Sequence, residues 1–163
     1  MSTRPDFIAH WSELEAAEPQ RYADDNEPMG FDASLGRKLG LTRIGIHHLR
    51  LPPGQRTSYP HAESAEEEFV FVVEGAPDAW IDGVLHRLKP GDSVAFPSGT
   101  GICHTFLNNT PDEVRLIVVG EKRKPENRGR YPLNAELERT SPYAWRDAPA
   151  RPLGPHDGMA RLK

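Results

Sequence analysis

Two histidines and two glutamates carry the chemistry this sequence offers: His61, Glu63, Glu68 and His104. His61 and Glu63 are two residues apart, so on a strand both leave from one face and Ala62 from the other. Ser64 to Glu66 suit a turn. Glu68 then opens a strand in phase with Val70 and Val72, which sets a carboxylate at the open end of an apolar face. His104 opens a later strand and shares a face with Phe106. If these strand ends meet, imidazole, carboxylate, carboxylate and imidazole surround one point. Neither kind of group is cheaply buried alone, and a divalent cation would satisfy all four. Mixed nitrogen and oxygen donors suit Fe, Mn, Ni, Zn or Cu, and softness does not choose among them.

The elements that must position these residues are short strands. From Leu41 the apolar period becomes two, with Ile44 and Ile46 on one face and Leu49 and Leu51 on the other. Pro52-Pro53-Gly54 stops that strand. Glu68 to Val73 is rich in β-branched and aromatic residues and stops at Gly75. Trp80 to Leu85 reads as a hairpin with Asp82-Gly83 at its turn. Further strands are expected at Ser93 to Phe96, Cys103 to Leu107 and Val114 to Val119. Seven or eight short strands with regular turn signals predict an all-β antiparallel sandwich or barrel over residues 41–120.

Residues 1–40 read as an N-terminal arm outside the core. Ser12 and Glu15 are spaced as a capping box for a helix of one or two turns, followed by a loop through Asp24, Asp25 and Asn26. Residues 121–163 read as a charged loop, Glu121 to Arg130, then an extended arm with four prolines between 141 and 156. Tyr131, Tyr143 and Trp145 are its anchors. Such an arm packs on its own barrel or on a neighbour's, and a homodimer is expected.

Composition narrows the function. The 163 residues suit one domain, and 20 basic against 24 acidic residues leave a net charge of −4 with no basic stripe, so nucleic acid is not an expected partner. No apolar run is long enough to span a membrane, and no signal core follows Met1 to Asp6. The single Cys103 excludes an intrachain disulfide, and a cytoplasmic location is expected. Cys103 should point away from the face of His104 and act as packing. His47 is in phase with Leu49 and Leu51 and is the inward member of the His47-His48 pair. Asn108 should hydrogen-bond its own turn.

Two motifs organise the site residues. The first is Gly54, His61-x-Glu63, Glu68 and Gly75; the second is Gly91, Pro97-x-Gly99, His104 and Asn108. As a set they resemble the paired motifs of the cupin superfamily, and the chain looks like a small single-domain bacterial cupin extended at both ends. The resemblance implies a double-stranded β-helix, a jelly-roll-like barrel with a metal in its mouth. Glu63 stands where the family usually has its second histidine, and the Gly54–His61 and Gly99–His104 gaps are longer by one and by two residues. If Glu63 binds metal, the ligand set is two histidines and two glutamates. If it does not, His61, Glu68 and His104 form a two-histidine, one-carboxylate set with open positions, and Glu63 is free as a general base. The third alternative is a site that has lost its metal. The leading expectation is a metal-dependent enzyme of dioxygenase, lyase or isomerase type acting on a small molecule in the barrel mouth. The alternative is a non-catalytic protein that binds a sugar or small acid, with a structural metal or none. A regulatory sensor domain is weaker, since no DNA-binding segment accompanies the barrel.

Overall fold

Where turn residues leave room, the two-residue apolar period becomes antiparallel strand. The computed structural model describes residues 4–23, 25–122 and 124–162; Met1 to Thr3, Asp24 of the expected loop and Arg123 of the expected charged loop lie outside the described residues. In chain order the strands are β1 (Phe31–Ala33), β2 (Ile44–Leu51), β3 (Ala62–Glu63), β4 (Glu68–Glu74), β5 (Asp78–Ile81), β6 (Val84–Arg87), β7 (Ser93–Phe96), β8 (His104–Leu107), β9 (Val114–Glu121) and β10 (Gly129–Arg130). Three short helices accompany them: α1 (Trp11–Leu14), α2 (Leu35–Lys38) and α3 (Ala135–Thr140). One sheet runs β1-β2-β9-β4-β7, a second β6-β5-β8, and a two-stranded ribbon pairs β10 with β3.

The core lies between the two larger sheets. Leu51, Val70, Val72, Phe96, Phe106, Val114 and Leu116 form one buried cluster. Alternation explains the choice: Val70 and Val72 are buried while Phe69, Phe71 and Val73 between and after them are exposed. The β5–β6 hairpin turns through Asp82 and Gly83 at φ 46° and 87°, the left-handed pair that Asp-Gly supplies most readily. Asn108 caps its own turn, accepting from Thr110 and donating to the carbonyls of Leu51 and Asp112.

Both arms are bound more closely than the sequence predicts. Met29 and Ala33 are buried, and β1 adds a strand to the edge of β2, so the first forty residues do contribute to the core. The capping box on α1 is made by His10 and Glu13, not Ser12 and Glu15; Glu15 is drawn away to pair with Arg50 at 2.8 Å. At the other end the chain forms α3, capped by Asn134, and then runs extended over the outer face of β5. There Trp80, wholly buried with Cys103 and Leu107, donates its indole N–H to the His156 carbonyl at 2.8 Å. Gly154 donates to Asp82, His156 to Gly83, and Arg151 pairs with Asp82 at 2.6 Å. Arg56, also buried, joins both arms through Glu27 and the Gly158 carbonyl.

Candidate metal centre

Three of the four expected residues converge. One donor atom each from His61, Glu68 and His104 lies within 4.8 Å of the others. Backbone pairing brings them together. His61 and His104 exchange main-chain hydrogen bonds of 3.1 and 2.8 Å across an isolated bridge. Glu68, first residue of β4, sits opposite Phe96 and Gly120 at the end of the large sheet. The two sheets therefore contribute one ligand-type residue each at the open end of the barrel, and the loop before β3 supplies the other.

The rings are oriented by their second nitrogens. His61 Nδ1 lies 2.8 Å from the Tyr59 carbonyl, and His104 Nδ1 lies 3.3 Å from that of Ile102. A carbonyl only accepts, so in the neutral rings Nδ1 carries the proton and Nε2 presents its lone pair to the cluster. His104 Nε2 is 3.2 Å from Glu68 Oε1. Two acceptors at that distance need a cation between or beside them: a proton, or a metal ion. Phe96 stacks flat on His104 at 3.5 Å between centroids, fixing the ring from behind. The donor set, the tautomers and the burial all fit a divalent transition metal.

The fields around the cluster agree with this. Burial holds the His61 imidazole below its ordinary pKa, and His104 adds to the effect. Burial alone would raise the Glu68 carboxyl, but its hydrogen bond to His104 and the charges of His104 and His61 outweigh that and hold it low. Glu63 differs. Its Oε1 is 3.9 Å from His61 Nε2, at the rim of the cluster rather than within it. Burial pushes its carboxyl up to about 7; the Asn127 hydrogen bond opposes the rise, and the neighbouring Glu66 and Glu68 add to it.

Asn127 is the residue beside the cluster that the sequence reading passed over. It lies in the stretch expected to be a solvated charged loop, yet its amide nitrogen donates to Glu63 Oε2 at 2.5 Å. Its oxygen accepts from the Ala65 N–H at 2.9 Å. With β10 paired to β3, the 124–130 segment becomes a strap across the barrel mouth. A single asparagine in a polar stretch carries no periodic signal, so only the β10–β3 pairing reveals it. Beyond Glu63 the strap borders a cavity of about 310 Å³ lined by Glu66, Asn127, Tyr131 and Tyr143 among others. The Tyr131 ring lies 6.0 Å from that of His61. His47 shares the inner face with Leu49 and Leu51 but binds Asp32 at 2.8 Å, and His48 is buried on the opposite face against Trp11.

This barrel has known counterparts. A family described as the cupin domain matches residues 47–120. The barrel has the cupin fold. A cupin-superfamily sugar phosphate isomerase from Silicibacter pomeroyi superposes with a TM-score of 0.61 at 36% identity, covering 63% of this chain and 65% of that one. The polyketide cyclase RemF from Streptomyces resistomycificus gives the same TM-score, 0.61, at 21% identity, with 83% and 89% covered, which shows shared fold. Among curated proteins, SchB of Streptomyces halstedii is 37% identical over 65 residues, 40% of this chain and 45% of SchB, so the chain spans less than half of that relative. Where the cupin motif usually has its second histidine this chain has Glu63, whose carboxylate is tied outward to Asn127 while His61, Glu68 and His104 keep the centre.

Proposed function

We propose that this cupin is a metal-dependent enzyme that moves a proton on a small oxygenated substrate, in the manner of an isomerase. His61, Glu68 and His104 would hold the ion, one of Fe, Mn, Ni, Zn or Cu. When bound, such an ion supplies Lewis acidity toward a carbonyl or enol oxygen. The observation that carries the reading is the convergence of two bare imidazole nitrogens and one carboxylate within 4.8 Å, with a second, separately anchored carboxylate at the rim.

Glu63 is the proton-transfer group in this reading. Asn127 fixes one of its oxygens and leaves the other facing His61. A carboxyl held in place, and poised to give or accept a proton, suits general acid–base work at the carbon next to the polarised oxygen. Phe96, Pro97 and Ile102 wall the cleft over the cluster and keep it apolar on that side. The Silicibacter isomerase supports the reaction class. Its phosphate is not carried over: among the described residues that line the cleft and the adjoining cavity there is no lysine or arginine.

Metal analysis of protein purified without chelator tests the reading, beside Glu68→Gln and Glu63→Gln. The expected result is about one equivalent of a transition metal in the native protein and in Glu63→Gln, with most of it lost in Glu68→Gln. A chain that takes up no metal even on reconstitution refutes the enzyme reading and leaves the sugar- or acid-binding one.

A further inference from the structure

Two spaces of very different size meet at Glu63. The cleft directly over Glu68 and His104 has a volume of about 10 Å³, room for a single oxygen-sized atom. The cavity beyond Glu63, bordered by the strap, has about 310 Å³. Glu63 and Glu66 line both. An apolar hollow of about 270 Å³ also borders the cleft, at Glu68, Phe96 and Pro97, but Glu63 does not line it. A small molecule that engages both the metal centre and Glu63 therefore reaches the centre with one atom and keeps its body in the strap cavity.

The walls of that cavity are acidic and aromatic. Besides Glu63 and Asn127, its lining includes Glu66, Tyr131 and Tyr143. Glu66 accepts from the Lys124 backbone N–H through Oε1. Its charge is not paired with the Lys124 ammonium, which donates to the Ala65 carbonyl at 2.8 Å and to Glu121 at 2.6 Å. Gly129 lets the Tyr131 ring lie against the strap, since a Cβ built at 129 would stand 2.9 Å from Tyr131 Cε2. Tyr131 thus lies beside His61, and Tyr143, 50% exposed, adds a second ring. Arg128 stands 6.0 Å over the Tyr143 ring, but its NH1 turns to the carbonyls of Pro125 and Asn127 and it does not line the cavity. Ring faces and a carboxylate together attract a cation and repel an anion. A neutral hydroxylated body would gain little there beyond hydrogen bonds exchanged for those to water.

We infer that the strap cavity receives a cationic ammonium head, held by the rings of Tyr131 and Tyr143 and the charge of Glu66, on a substrate whose oxygen reaches the metal centre past Glu63. The substrate class is then a small ammonium-bearing alcohol or carbonyl compound, not a phosphorylated or carboxylated one. The oxygen end of this inference rests on the metal-enzyme reading above. The cation end rests on the cavity alone.

Isothermal titration of the full chain, metal-loaded and chelator-treated, tests it with two probes. One is choline. The other is neohexyl alcohol, its uncharged isostere with a tert-butyl group in place of trimethylammonium. Both carry the same hydroxyl, so the ratio of their affinities reports the charge. Choline should bind at least about 10-fold more tightly in both forms of the protein. Glu66→Gln keeps the acceptor for the Lys124 N–H and removes the charge, and it should bring the ratio down to about 3 or lower. Tyr131→Leu should do the same, whereas Tyr131→Phe keeps the ring face and should retain the preference. Thermal melts establish that each variant is folded, and Glu66→Gln decides the matter if Tyr131→Leu is not. A ratio near one in the native protein, or no binding of choline up to about 50 mM, overturns the inference. So does a folded Glu66→Gln protein that keeps the full preference. The metal reading fails separately: a chain that prefers choline but takes up no metal upholds the cation site and overturns the metal-dependent enzyme.

Discussion

Replacing Glu63 by Gln should stabilise the metal-free protein at alkaline pH, and the size of the effect follows from the site. In the folded chain, burial pushes the Glu63 carboxyl from 4.5 up to about 7. Between those values the folded state holds a proton that the unfolded state has released, so stability falls as pH rises. The contribution is intact below pH 4.5 and is lost by the time pH has passed about 7. At about 1.4 kcal/mol per pH unit the loss comes to about 3 kcal/mol. The side chain is only 25% exposed, so solvent screening removes little of it. Gln keeps the oxygen that accepts from Asn127 and removes the charge. Urea unfolding of chelator-treated protein should therefore show native and Glu63→Gln chains of similar stability at the acid end of the window. Above neutrality the variant should be ahead by about 3 kcal/mol. Two neighbours pull the other way. His61, held low, contributes stability that is lost as pH falls through its folded pKa, and Glu68, also held low, does the same further into acid. Both are present in the two proteins, so the difference reports Glu63 together with its coupling to them. Equal stabilities above neutrality would refute the reading that Glu63 is a buried carboxylate at the rim of the cluster.

Two further expectations concern the packing of the arms and the lone thiol. Gly83 has φ 87°, and a Cβ built there would stand 2.4 Å from the Gly154 carbonyl oxygen. Gly83→Ala should cost about 2 kcal/mol or more and lift the C-terminal arm from β5, read as faster proteolysis or hydrogen exchange over residues 150–160 with the metal content unchanged. Cys103 is fully buried and its thiol is pushed up to about 12 by that burial. It should not react with a thiol reagent in the native protein and should titrate as one thiol in denaturant; rapid native labelling would contradict its place against Trp80 and Leu107.

The fold was largely legible because its signals are local. The two-residue period set β2, β4 and β9 within a few residues, since each has one face against the core and one against solvent. Asp82-Gly83 announced its turn because few other pairs accept two positive φ angles. The arms were harder. A three-residue strand such as β1 has no period to read, and the side chains of Met29 and Ala33 are buried by a sheet edge that lies elsewhere in the sequence. The cap of α1 was misplaced because Glu15 had two possible partners, and Arg50, 35 residues away, is the stronger one.

What the sequence alone determined is which residue types share a strand face and where the turns fall. That was enough to place His61, Glu68 and His104 at strand openings and to set Cys103 on the other side. Tertiary structure decided the rest. It separated Glu63 from the three converging donors, because its second oxygen is claimed by Asn127, 64 residues on. It turned a charged loop into a strap by pairing β10 with β3, and it committed the C-terminal arm to its own barrel. Each of these rests on contacts between residues far apart in the chain, where neither spacing nor composition carries a signal and only backbone pairing in three dimensions assigns the partner.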